Sequence, residues 1–165
     1  MALAARNTWE YQPGNLTASF VILSGVTIFD GALVGIHEAK SGVTSSEGYL
    51  DEWSDGTDQL VFCGIARITD QNSSTGTGDS LTGDGTIECG VDISGVILKN
   101  VPVTGSSAQN DVGDPVYASD DNTLTLSATS GANEIGFLTR YQSSGYGDVH
   151  LFSMSQNFRS ESPEA

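Results

Sequence analysis

Apolar and polar positions alternate most cleanly between Asp111 and Ser153, and the rest of the chain is read outward from there. Pro115-Val116-Tyr117-Ala118 is a short extended run. Ser119-Asp120-Asp121-Asn122 follows it, with side chains that satisfy a turn's own backbone. Thr123-Leu124-Thr125-Leu126 alternates polar and apolar, which puts both leucines on one face of a sheet. After the breaker Ser130-Gly131-Ala132-Asn133, Glu134 to Tyr141 reads as a third strand, Ser143 to Gly147 as a turn and Asp148 to Phe152 as a last strand. The stretch predicts a four-stranded meander. Turn signals at this spacing predict an all-β fold: a single domain of short antiparallel strands, sandwich or small barrel, with an irregular N-terminal arm.

Upstream, Thr17 to Leu23, Val26 to Phe29 and Ala32 to Glu38 read as strands, with Asp30-Gly31 a tight connection. Leu60 to Ile68 is nearly continuously apolar, as expected of a strand covered on both faces. Thr86 to Asp92 and Val96 to Val103 resume strand character. Between these lie an acidic loop, Lys40 to Asp58, and a Ser/Thr/Gly/Asp-rich segment, Thr69 to Gly85, whose composition predicts a surface loop without a core. The halves also repeat one another. Phe29 to Val34 parallels Asp111 to Val116, Cys63 to Arg67 parallels Ile135 to Thr139, and Gly85 to Cys89 parallels Gly147 to Leu151. The expected organisation is an arm over residues 1–15, a β-domain with an internal repeat over 16–153, and a tail over 154–165 that only Phe158 can anchor.

The length of 165 residues suits one domain with one core, burying roughly 70% of the unfolded surface. Six Lys plus Arg against 21 Asp plus Glu give a formal charge of -15, which opposes docking on nucleic-acid phosphates or anionic lipid. The longest apolar run, Ala18 to Phe29, is interrupted by Ser and Gly and falls short of the roughly 20 residues of a spanning helix. Met1 to Arg6 lacks the apolar region of a secretory signal, so synthesis in a cytoplasm is expected. Cys63 and Cys89 have neither metal-site nor redox-motif spacing, and two readings stay open: one bridge, or two buried thiols.

Catalytic signatures are missing. His37 and His150 each stand alone in a predicted strand, and no nucleophile elbow, zinc-protease motif or phosphate loop occurs. Asp51-Glu52 and Asp120-Asp121 sit in polar stretches, and Tyr49 to Asp58 lacks the alternate acids, central Gly and terminal Glu of a calcium loop. No catalytic, cofactor or metal residues are expected. The candidates for binding are Trp9, Tyr11 and Pro13 in the arm, where large aromatics on an aperiodic terminus either dock on a partner or fold over the chain's own core.

Val112-Gly113-Asp114-Pro115-Val116-Tyr117, Leu124-Thr125-Leu126, Glu134-Ile135-Gly136-Phe137-Leu138 and Gly147-Asp148-Val149-His150-Leu151 together resemble a known family. It is the head decoration, or cement, proteins of tailed bacteriophages, in which a Gly-Asp-x-Val-Tyr strand, an Ile-Gly-Val strand and a closing Asp-x-x-Val-x-Val strand recur. Phe29 to Gly35, Cys63 to Ile68 and Gly85 to Gly95 fill the earlier places, so the resemblance spans Thr17 to Ser153. It implies a cofactor-free virion protein on the outer capsid surface, a homotrimer that clamps neighbouring subunits of the major capsid protein. The alternative is a phage tail or fibre accessory module recognising a host glycan or protein, for which Tyr49, Trp53 and Tyr146 are possible loop-tip aromatics.

Overall fold

The computed structural model describes residues 10–12, 16–38, 46–54, 60–69, 72–74, 78–128 and 133–160. Its strands are β1 (Glu10–Gln12), β2 (Thr17–Val21), β3 (Thr27–Phe29), β4 (Leu33–His37), β5 (Leu50–Glu52), β6 (Leu60–Arg67) and β7 (Ser80–Thr82). There follow β8 (Glu88–Asp92), β9 (Ile97–Thr104), β10 (Pro115–Ala118), β11 (Leu124–Thr125), β12 (Gly136–Ser143) and β13 (Tyr146–Leu151). A helix, α1 (Met154–Ser160), ends the described chain.

The all-β expectation holds, and of the two architectures it is the small barrel that forms. β9, β11, β10, β12 and β13 pair in that order, and β13 returns to β9 to close the ring. An equivalent set precedes it: β2, β8, β6, β4 and β5 pair in order, and the parallel bridge Ile22–Leu50 joins the two outer strands. The pairings correspond residue by residue. Leu33 opposes Ile65 and Val34 opposes Gly64 in the first ring, as Pro115 opposes Phe137 and Val116 opposes Gly136 in the second. Ile36–Leu50 matches Ala118–Leu124, and the bridge Ile22–Leu50 matches the parallel pair Val103–Leu124. Even the connecting hydrogen bonds recur: Gly31 N–H donates to Ala66 O at 2.9 Å, and Gly113 N–H to Leu138 O at 2.8 Å. Both glycines have a left-handed φ, 81° and 100°, which a side chain would strain.

Two of the three repeat matches therefore keep their register, and the third shifts. Ala66 opposes Val91 where Leu138 opposes Val149, so Cys89, four residues after Gly85, is the counterpart of Gly147. The two glycines serve different ends. Gly85 lies in a turn with open space around it, whereas a Cβ on Gly147 would meet Leu138 and Arg140 O.

Other expectations change as well. The run from Asp111 is not a meander, because β11 lies on the far side of β10 from β12 and runs parallel to β9. Alternation fixes which face Leu124 occupies, but either strand order satisfies it. The segment expected to be a coreless loop contributes β7, which pairs with β3 and buries Leu81. Within the acidic loop, β5 forms and Trp53 is 3% exposed. The tail becomes α1, with Asn157 Nδ2 donating to Phe62 O at 3.2 Å; the side chain of Phe158 lies outside the described residues. Instead of one core there are two apolar clusters, because each ring fills its own interior.

β6 behaves as its apolar run predicts. Leu60 to Ala66 are all buried. Leu60, Phe62 and Ile65 join the cluster of the second ring, while Cys63 and Ala66 join that of the first, so one strand knits both. β9 differs from its counterpart β2 by one extra residue opposite Gly147 and Val149. Asn100 takes that place with a φ of 49°. Buried Asp148 holds the bulge, accepting Asn100 N–H at 2.9 Å, Gln142 Nε2 at 3.1 Å and Lys99 Nζ at 3.3 Å. Burial opposes its charge, yet those donors keep its carboxyl below the ordinary range.

Candidate interaction surfaces

The rings meet where the turn after β10 reaches the ends of β4 and β5. Leu33 N–H donates to Asp121 O at 2.9 Å, Trp53 N–H to Leu33 O at 3.0 Å, and Ser54 bridges Asp120. The Trp53 indole N–H donates to Ala118 O at 2.8 Å, and its ring meets Phe62 edge-on at 5.5 Å. Trp53 is thus a peg between the rings and not an aromatic at a loop tip. Tyr49 is half-buried, and Tyr146, at 43%, is the exposed member of the three.

Acidic groups gather beside that peg. Burial, then the Asp121 and Asp51 carboxylates, push Glu52 up to about 7. Asp51 accepts His37 Nε2 at 2.8 Å and the amide of Glu52 at 2.8 Å. Among the described residues no group of three or more His, Cys, Asp or Glu is arranged to hold a metal ion. His150 has a different setting, edge-on to Phe137 at 5.3 Å on the outer face of the second ring. Of the acidic pairs, Glu52 and Asp121 are close enough to repel across the seam, while Asp120 accepts the Asn122 amide within its own turn.

Cys63 and Cys89 are buried and unbridged, and burial pushes both thiols up to about 12. At neutral pH they are small apolar packing groups.

Of the arm candidates, Trp9 and Pro13 lie outside the described residues. Tyr11 stands in β1, opposite Leu98 on β9, so the backbone here is not irregular. Glu10 to Gln12 add a short strand to the second ring because the Ile97–Lys99 edge of β9 has backbone groups that β11, further along, does not use.

Two surfaces carry apolar side chains that sequence reading missed. One is a cross-strand row on the outside of the second ring: Pro115 opposite Phe137, Phe137 opposite His150, His150 opposite Ile97. All four are half-buried, and Phe152 leans on Phe137 at 6.2 Å. The other is a groove of about 490 Å³ at the end of the first ring, lined by Leu16, Ile93, Ser94, Ser153, Met154 and Ser155. Leu16 is 57% exposed there. Carrying the repeat alignment through to side chains points to Pro115, Phe137, Leu16 and Ile93, whose counterparts Leu33, Ile65, Val96 and Leu151 in the other ring are buried. Set against family models, curated proteins and solved structures, the chain matches none.

Proposed function

We propose that the chain is a structural binding protein, not a catalyst, and more particularly a head decoration protein of a tailed bacteriophage. In this reading it sits on the outside of the capsid and clamps neighbouring major capsid subunits, three copies around a three-fold axis. The observation that carries the reading is the joint placement of the motifs behind the resemblance. The Gly113-to-Tyr117 segment, Ile135-Gly136 and Gly147 to Leu151 lie on or beside three successive neighbours of one closed ring, β10, β12 and β13. The first ring repeats that arrangement. Two supports are secondary. The charge of -15 suits a surface kept away from packaged DNA, and a ring-closed sheet leaves few unpaired edges on an exposed shell.

Affinity for a lattice comes from several weak contacts made together, and the arm around Trp9 and Tyr11 is the candidate second contact. The test is co-sedimentation with expanded phage heads that lack decoration. The chain is expected to bind saturably and to raise the temperature at which filled heads lose DNA. Removing Met1 to Pro13 should cut occupancy far more than it lowers the melting temperature, and Trp9→Ala should weaken binding by about 2 kcal/mol. Binding to host envelope with none to heads would overturn the reading in favour of a tail or fibre module.

A further inference from the structure

The two rings are packed head to tail, and each has one half of that same contact left open. Within the chain, the outer face of the first ring, with Leu33, Leu60, Phe62 and Ile65, shares one apolar cluster with Val96, Ile135 and Leu151 at the end of the second ring. The duplication assigns a counterpart to each side. Pro115 and Phe137 occupy the places of Leu33 and Ile65, by the matched registers of β4–β6 and β10–β12. Leu16 and Ile93 occupy the places of Val96 and Leu151: Ile93 N–H donates to Leu16 O at 3.1 Å as Leu151 N–H donates to Val96 O at 2.9 Å.

Burial differs between the counterparts. Leu33, Ile65, Val96 and Leu151 are at most 2% exposed, whereas Leu16 is 57% exposed and Pro115, Phe137 and Ile93 are partly so. The second ring thus presents a face that the first ring has already buried, and the first ring presents an end that the second ring has already filled.

We infer that copies of this chain associate head to tail, the Pro115–Phe137 part of the row of one copy seating in the Leu16–Ile93–Met154 groove of the next. The contact repeats between copies the ring-to-ring packing already present inside each copy. Such a contact is heterologous and closes into a ring of copies when its rotation allows. Charge permits it: Pro115 and Phe137 on one side and Leu16, Ile93 and Met154 on the other are uncharged, although each copy carries -15 overall. Screening that general repulsion with salt should therefore strengthen the association. The inference rests on the duplication and stands apart from any binding to capsids.

The test is sedimentation equilibrium of the full chain from micromolar to near-millimolar concentration, at low and moderate salt. The average mass of the native chain should rise with concentration, more steeply at moderate salt. Leu16→Glu and Phe137→Glu, each in a side chain with solvent access, should each stay monomeric with an unchanged far-UV circular dichroism spectrum. Mixed in equal amounts they should form a heterodimer and nothing larger, because one intact groove and one intact row remain. If Phe137→Glu does not fold, Pro115→Glu on the same row takes its place. A native chain that stays monomeric throughout overturns the inference, as does a mixture no heavier than its components or a variant that dimerises alone.

Discussion

Replacing Trp53 tests whether the two rings form one cooperative body. Its side chain is 3% exposed, lies edge-on to Phe62 and donates its indole N–H to Ala118 O of the other ring. Trp53→Ala removes a large buried ring at a place held by two sheets, where collapse is restricted, so the loss should be about 3–5 kcal/mol. That is a large share of the roughly 5–15 kcal/mol that stabilises an ordinary domain. For a chain of this size each kcal/mol shifts the melting temperature by about 2–4 °C, which puts the fall at about 6–20 °C. Trp53→Phe separates the contributions: it keeps most of the ring but leaves Ala118 O without its donor, at about 1–3 kcal/mol. Thermal and urea melts followed by far-UV circular dichroism give both numbers. An exposed aromatic would lose less than about 0.5 kcal/mol on truncation. A fall below about 3 °C for Trp53→Ala would therefore refute the account of a peg between rings.

Three further outcomes are expected. A carboxyl raised from 4.5 to about 7 binds its proton more tightly when folded, so Glu52 costs nothing below its unfolded value and its full penalty appears above about 7. Its partial exposure screens that penalty to about 1–2 kcal/mol; Glu52→Gln should flatten the stability profile between pH 5 and 8, and an unchanged slope would count against it. A Cβ at position 136 would strike the His150 carbonyl across the β12–β13 ladder, so Gly136→Ala should lose more than about 2 kcal/mol in a urea titration, whereas the same change at Gly145, with open space, should lose about 1 kcal/mol from its φ of 79°. Cys63→Ala and Cys89→Ala should each lose about 1–2 kcal/mol without any effect of reductant, and neither native thiol should react with an aromatic disulfide at pH 8 until denaturant unfolds the chain.

The strands were legible where one face is buried and the other wet, as at Leu124 and Leu126, and where both faces are buried, as along β6. Short strands that depend on a distant partner were not. β5 is three residues inside an acidic stretch, and it forms because Leu50 completes the first ring while Trp53 reaches the second. β7 exists because β3 offers it an edge; nothing in Ser80-Leu81-Thr82 alone distinguishes it from its polar surroundings. α1 was hidden by a polar composition, and a tie that holds it, Asn157 to the carbonyl of Phe62, spans 95 residues. The candidate surfaces fared similarly. Period-two reading identifies the side that faces inward, so it put Leu124 and Leu126 on one face, and Leu124 is buried. It gave no reason to look at Phe137, which becomes notable only when Ile65, its counterpart in the first ring, is seen to be covered.

Strand order also dictates a schedule for synthesis. The first ring has all its strands once residue 92 has left the ribosome, but the second cannot close until β13, at Leu151, pairs back with β9. For that interval the nascent chain carries a finished ring whose Leu33, Phe62 and Ile65 await their cover, and domains commonly fold as units from the N-terminus during translation. Late sequence-distant pairing is slow, because the loop must close before its contacts form. The face that finally locks the two rings together is therefore, during those seconds, the stickiest patch on the molecule, and slowing translation through residues 93–151 should raise the fraction lost to aggregates.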